Sequence, residues 1–242
     1  MDSAAGVDDR PGERCNGRLP DTTGPAPHDF LDRSLLCLRN AIVQENHKYR
    51  CILLFGMPGS GKGTQGAVLD QLPSFVHISM GDIFRKIPRT GKFGREIEKY
   101  TSQGLMVPDD LTVRIFERHL IILEMQELVL PEQHILILDG LPRSYAQAQR
   151  LESILDVVQI FHLRIVDTVL AAERLRARAL RENRLDDMSE DVIHRRLQTY
   201  YDETFKTLSY FPSELVYEVN AGRRAIDVLC DIVNRLTAIG KP

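Results

Sequence analysis

The chain has 242 residues, enough for one sizeable domain with a single core, or one domain carrying insertions. Its 43% hydrophobic and 27% charged residues are those of an ordinary globular protein, and a net charge of −3, from 31 basic and 34 acidic side chains, argues against a general binder of nucleic acid or of anionic membrane surfaces. No apolar run approaches the roughly 20 residues of a membrane-spanning helix, and Cys15, Cys37, Cys51 and Cys230 form no C-x-x-C pair. Free thiols in a reducing, cytoplasmic setting are therefore expected, with neither a disulfide framework nor a zinc site.

Residues 1–28 mix Gly, Pro and Asp with almost no large apolar side chains and read as a disordered extension, with neither the apolar core of a signal peptide nor the composition of a transit peptide. The next stretch carries Leu31, Leu35, Leu38 and Ile42 at helical spacing. It predicts an amphipathic helix over 29–48, docked on the main domain or, as the alternative, binding a partner. From 49 to 242 the chain alternates. "CILLF", "FVHIS", "HILILD", "VVQIFHLRI" and "LVYEV" are short apolar runs rich in β-branched residues, separated by helical patterns such as "LTVRIFERHLIILEMQEL" and "AIDVLCDIVNRL". This rhythm predicts an α/β fold of βαβ units, a buried parallel sheet flanked by helices.

The first strand runs into "FGMPGSGKGTQG", residues 55–66. Gly56, Gly59, Gly61 and Gly63 permit a backbone that aims consecutive N–H groups at one anion. The following helix adds its positive end and Lys62 a full charge. The stretch fits G-x-x-x-x-G-K, with the motif's hydroxyl residue one place late, at Thr64.

That displaced threonine resembles the loop of the nucleoside monophosphate kinases, especially the adenylate kinases, and further family motifs follow in order. "HISMGDIFRK" is similar to the segment opening the monophosphate-binding insertion, "GLMVPDD" to its end, "DGLPRSYAQA" to D-G-F-P-R-x-x-x-Q-A, and "ERLRARALRENRLDD" with "RRLQTYY" to the lid region. The resemblance covers about 50 to 238. It implies a P-loop kinase fold with a five-stranded parallel sheet, a helical monophosphate-binding insertion at about 80–108 and a short lid at about 178–188.

Phosphoryl transfer between two phosphates brings polyanions together, and the acceptor is already an oxyanion. The protein must position and neutralise rather than act as a base, and arginine's permanently charged fork suits that task. By resemblance, Lys62, Arg143, Arg178, Arg184 and Arg196 are the catalytic cations. Gly59, Ser60, Gly61, Lys62, Gly63, Thr64, Arg174 and Arg178 would bind ATP. Ser79, Met80, Arg85, Val107, Gly140, Arg143 and Gln147 would bind AMP. Arg174 and Arg178, four apart, share a helix face; Arg181 lies on it too and spacing does not exclude it, whereas Arg176 points elsewhere. Asp139, at the C-terminal end of a buried strand, would hold Mg²⁺ through water alongside ATP. Only five residues separate Arg178 from Arg184, and without cysteines a zinc lid is excluded. Ser189 is expected to cap the next helix, with Glu190 and Asp191 in its first turn.

The implied activity is reversible transfer from ATP to AMP giving two ADP, by a monomer whose partners are nucleotides and neither nucleic acid nor membrane. Met80, Leu141 and Ser144 depart from the residues usual in adenylate kinases. Met80 falls where relatives place a threonine against the acceptor base, which keeps CMP, UMP or GMP open as acceptor. Gln147 offers a donor and an acceptor together, as an adenine edge requires. A catalytically silent nucleotide-binding scaffold and a P-loop kinase of another small metabolite are the remaining alternatives.

Overall fold

Alternation along the apolar runs decides the architecture. This structure, a computed structural model, describes residues 48–182 and 189–239. Strands β1 (Tyr49–Phe55), β2 (Phe75–Ser79), β3 (Ile135–Asp139), β4 (Leu155–Arg164) and β5 (Val216–Asn220) form a sheet in the order β2-β3-β1-β4-β5. Every pairing is parallel. Cys51, Leu53 and Phe55 of β1 pack into one apolar cluster, and Ile52 and Leu54 into another. The sheet thus buries both faces, as period-two side chains on a strand covered from both sides must.

Helices close each face. On one side, Met80 and Ile83 of α2 (Met80–Lys86), Val113, Phe116 and Leu120 of α4 (Asp109–Met125) and Leu151 of α5 (Tyr145–Leu151) meet Leu136 and Leu138 of β3. On the other, Leu69 of α1 (Lys62–Leu69), Ala171 of α6 (Thr168–Glu182) and Val228, Ile232 and Leu236 of α8 (Ala225–Ala238) meet Phe161 and Leu163 of β4. Helix α3 (Lys92–Thr101) follows α2 within the expected insertion, and Ile97 joins Val107 and Leu111 in a small core of its own. Helix α7 (Glu190–Thr199) continues into a π-helical turn, Tyr200–Thr204.

The expected strands are present with shifted ends. β4 begins two residues before the "VVQIF" run, because β1 itself begins at Tyr49, whose N–H bonds the Ile154 carbonyl at 2.9 Å. The register slips between Cys51 and Ile52, leaving Val158 as the extra residue of β4. Leu215 belongs to a 3₁₀ turn, Ser213–Leu215, rather than to β5. Ser189 does occupy the N-cap of α7, but its side chain makes no cap hydrogen bond, while Glu190 accepts from Arg176 Nε at 2.5 Å. The extension, the expected helix over 29–48 as far as residue 47, and the middle of the expected lid, with Arg184, lie outside the described residues. Among the described residues no helix is long and apolar enough to cross a membrane.

Candidate active site

Parallel strands deliver their C-terminal ends to one edge of the sheet, and there a cavity of about 860 Å³ opens, a volume suited to small molecules. Its floor is the loop from Gly56 to Gly61, between β1 and α1. Two glycines show what the loop demands of its residues. Gly59 has φ +87°, and a Cβ there would lie 2.4 Å from the Ala171 carbonyl oxygen; Gly61, φ +93°, is the left-handed N-cap of α1 with open space before it. The loop therefore packs tightly against α6 on one side and bares its backbone to the cavity on the other. Gly63 and Thr64 continue that lining on the first turn of α1, and Ser60 Oγ is buried with no hydrogen-bond partner.

Lys62 folds back over this loop, its Nζ donating to the carbonyls of Gly56 at 2.7 Å and Met57 at 3.1 Å. Burial pushes its pKa down to about 8; Asp139 opposes that, and the positive charges of Arg143 and Arg178 add to it. Asp139 ends β3, and its Oδ2 lies 3.4 Å from where a Cβ on residue 63 would sit, so glycine there leaves the carboxylate clear.

Arg85, Arg143, Arg174, Arg178 and Arg196 all line the cavity. Arg143 Nε donates to the Gly140 carbonyl at 3.1 Å. Desolvation lowers the proton affinity of Arg143; Asp139 opposes it, while Arg196, Arg85 and Arg178 push the same way, so these cations crowd one volume. Arg85 pairs with Asp82. Arg174 is anchored to the loop after β5, donating to the carbonyls of Ala221 at 2.7 Å and Arg223 at 3.1 Å. Arg181 also faces the cavity, whereas Arg176 turns outward to Glu190. Of the consecutive pair on α7, Arg196 faces inward and Arg195 donates to the Gln103 carbonyl at 3.0 Å. Arg223 and Arg224 were not anticipated, yet both line the cavity. The signal for them was present: "NAGRRA" directly follows a strand, and strand C-termini are where ligands meet such sheets.

Ser79, Val107, Gly140 and Gln147 also contribute to the wall. The side chain of Ser79 is partly spent as the N-cap of α2, accepting from Asp82 N at 3.3 Å. Met80 is not where the resemblance placed it. It is 1% exposed and sits in the core beneath the sheet with Ile83, Leu138 and Leu141, outside the cavity lining. Helix α2 starts at Met80, and its first turn rotates that apolar side chain inward while Gly81 and Asp82 face the opening. Gln147 lines the wall, but both ends of its amide already have protein partners: Oε1 accepts from Arg143 N at 2.7 Å and Nε2 donates to Asp109 Oδ1 at 2.6 Å.

The family model "Adenylate kinase" matches residues 54–216 of the chain. An adenylate kinase of Cyanothece sp. (strain PCC 7425) is 37% identical over 169 residues, 67% of this chain and 82% of the relative. One from Flavobacterium psychrophilum is 32% identical over 196 residues, covering 78% of this chain and 96% of its own length. Another, from Rhodococcus erythropolis, is 38% identical over 174 residues, 68% of this chain and 87% of the relative.

Proposed function

The chain belongs to the adenylate kinase family, and from that premise we propose how its cavity performs the family's reaction, reversible phosphoryl transfer from ATP to AMP giving two ADP. The observation that carries the reading is a glycine loop with bared backbone, crossed by Lys62 and faced by a group of arginines, where burial and the neighbouring positive charges lower the proton affinity of Lys62 and Arg143. Such a cluster is costly when empty and is relieved by polyanions.

ATP's phosphates lie on the loop from Gly59 to Thr64, where backbone N–H groups and the unpartnered Ser60 hydroxyl donate to them. Lys62 exchanges its two carbonyl partners for the β- and γ-phosphates. Arg174, held by Ala221 and Arg223, braces the donor nucleotide, with Arg178 beside it. Arg85 and Arg143 grip the acceptor's phosphate, and the backbone near Val107, with Ser79, Gly140 and Gln147, surrounds its base. Met80 lies in the core outside the cavity lining, which supports AMP as the acceptor despite the departure from threonine. Arg178, Arg196 and Arg184 gather round the transferring group as the insertion at about 80–108 and the short lid at about 178–188 close, excluding water that would otherwise take the phosphate.

The donor set fits Mg²⁺ entering with ATP: one carboxylate, Asp139, stands clear beside the loop, and a cation that keeps several of its own waters needs no larger protein cage. When bound, it neutralises charge on the transferring phosphates. We propose no zinc, nucleotides as the partners, and a monomer acting in the cytoplasm, in keeping with the free thiols Cys51 and Cys230.

A product assay tests the reading. Protein, ATP and Mg²⁺ are offered AMP, CMP, UMP, GMP and dAMP in parallel, and the nucleotides are separated by chromatography. ADP forming fastest with AMP is expected; a faster reaction with another monophosphate overturns the choice of acceptor.

A further inference from the structure

The hydrogen bonds around Gln147 form a closed set whose members cannot exchange roles. Gln147, 1% exposed, receives the main-chain N–H of Arg143 on Oε1 and gives Nε2–H to Asp109 Oδ1. A main-chain N–H only donates and a carboxylate only accepts. Asp109 Oδ2 accepts from Ser144 Oγ at 2.8 Å, which commits the hydroxyl proton and leaves Ser144 Oγ to accept from Gln147 N at 3.1 Å. Turning the amide over would set N–H against N–H and C=O against a carboxylate. Its oxygen and nitrogen positions are therefore fixed before any ligand arrives, and each end keeps one further valence for the cavity it lines.

We propose that Asp109 is a specificity-determining positioning residue for the acceptor base. It rests on the reading of Gln147 as a base contact. With the amide fixed, the wall presents N–H where adenine carries the ring-nitrogen acceptor N1, and C=O where it carries the exocyclic amine. Hypoxanthine has the inverse pattern, N1–H and O6, and only an overturned amide could read it. A freely rotating glutamine would serve both bases; this one serves adenine.

The test compares kcat/KM for AMP and for IMP, with ATP and Mg²⁺, in the wild-type protein and in Asp109→Asn. Asparagine keeps the shape but can accept or donate, so turning the amide over then breaks one polar contact, at the Arg143 N–H, instead of two. Wild type should favour AMP strongly. In Asp109→Asn the AMP-to-IMP ratio should narrow about tenfold or more, the factor corresponding to about 1.4 kcal/mol, by a gain on IMP and a loss on AMP, with KM for ATP unchanged. A proportional loss on both acceptors with the ratio intact overturns the proposal and leaves Asp109 a structural residue. If Asp109→Asn melts below the assay temperature, Asp109→Ser carries the same comparison, since a hydroxyl also accepts or donates. A wild-type protein that phosphorylates neither acceptor overturns the functional reading itself, and this inference with it.

Discussion

The two ends of the cavity are made of different material. At the proposed donor end, from Gly56 to Gly61, the surface is main chain, shaped by positive φ angles and by the carbonyls of Leu163 and Ala171 a few ångströms behind it. At the proposed acceptor end side chains supply most of the polar surface: Arg85 on Asp82, Arg143 on Gly140, and the Asp109–Ser144–Gln147 set. Backbone amides recognise what every nucleoside triphosphate shares, its phosphates, and leave no room for variation. Side chains recognise what differs between bases, and a single substitution can retune them. The donor end should therefore be brittle and the acceptor end adjustable.

The largest expected break is at the donor end. Lys62→Met should lower kcat by about a hundredfold or more, as the loss of one donor to a developing charge does elsewhere, with circular dichroism unchanged. A folded variant with near-normal turnover would remove Lys62 from the mechanism. Next comes Gly59→Ala, which meets both a left-handed φ of +87° and the Ala171 carbonyl, and should destabilise by about 3 kcal/mol in urea unfolding. Gly61→Ala shares the strain but meets nothing within 4 Å, so about 1 kcal/mol is expected. Equal costs at the two positions would show that packing against α6 does not shape the loop.

The smallest effect separates the two ends by proton counting. With Lys62 at about 8 in the free protein, roughly three-quarters of it is neutral at pH 8.5. Phosphates of ATP stabilise the charged form and raise that pKa, so binding takes protons up. Calorimetry in buffers of different ionisation enthalpy should find an uptake of roughly 0.7 proton per ATP at pH 8.5, where the nucleotide's own phosphates are already ionised, and no net uptake at pH 6.5. AMP alone should take up none at pH 8.5, where its phosphate is already fully ionised.

The same division governs what the sequence made legible. Glycines at fixed offsets after an apolar run encode the donor loop locally, and "FVHIS" became β2 with both ends unchanged. The shared face of Arg174 and Arg178 followed from helical geometry alone, with Arg181 beside them. The acceptor end depends on contacts across the fold. Gln147 meets Asp109 across 38 positions of sequence, and no spacing rule announces that its amide is already engaged. Met80 stands between Ser79 and Gly81, both on the cavity wall, yet the start of α2 sends its side chain into the core. Arg223 and Arg224 were readable in principle, from their place after β5, but no motif marked them.

The cavity's charge has a consequence for traffic as well as for chemistry. The whole chain carries −3, whereas ten basic and four acidic side chains line the cavity among the described residues. Field lines from such a recess are focused through its mouth and dampened elsewhere by the acidic exterior. To a large polyanion, which cannot enter, the molecule presents repulsion; to an anion small enough to pass the mouth, it presents a steep attraction that quickens capture at low salt and fades as the Debye length shrinks. Size, in this arrangement, decides which sign of charge a visitor meets.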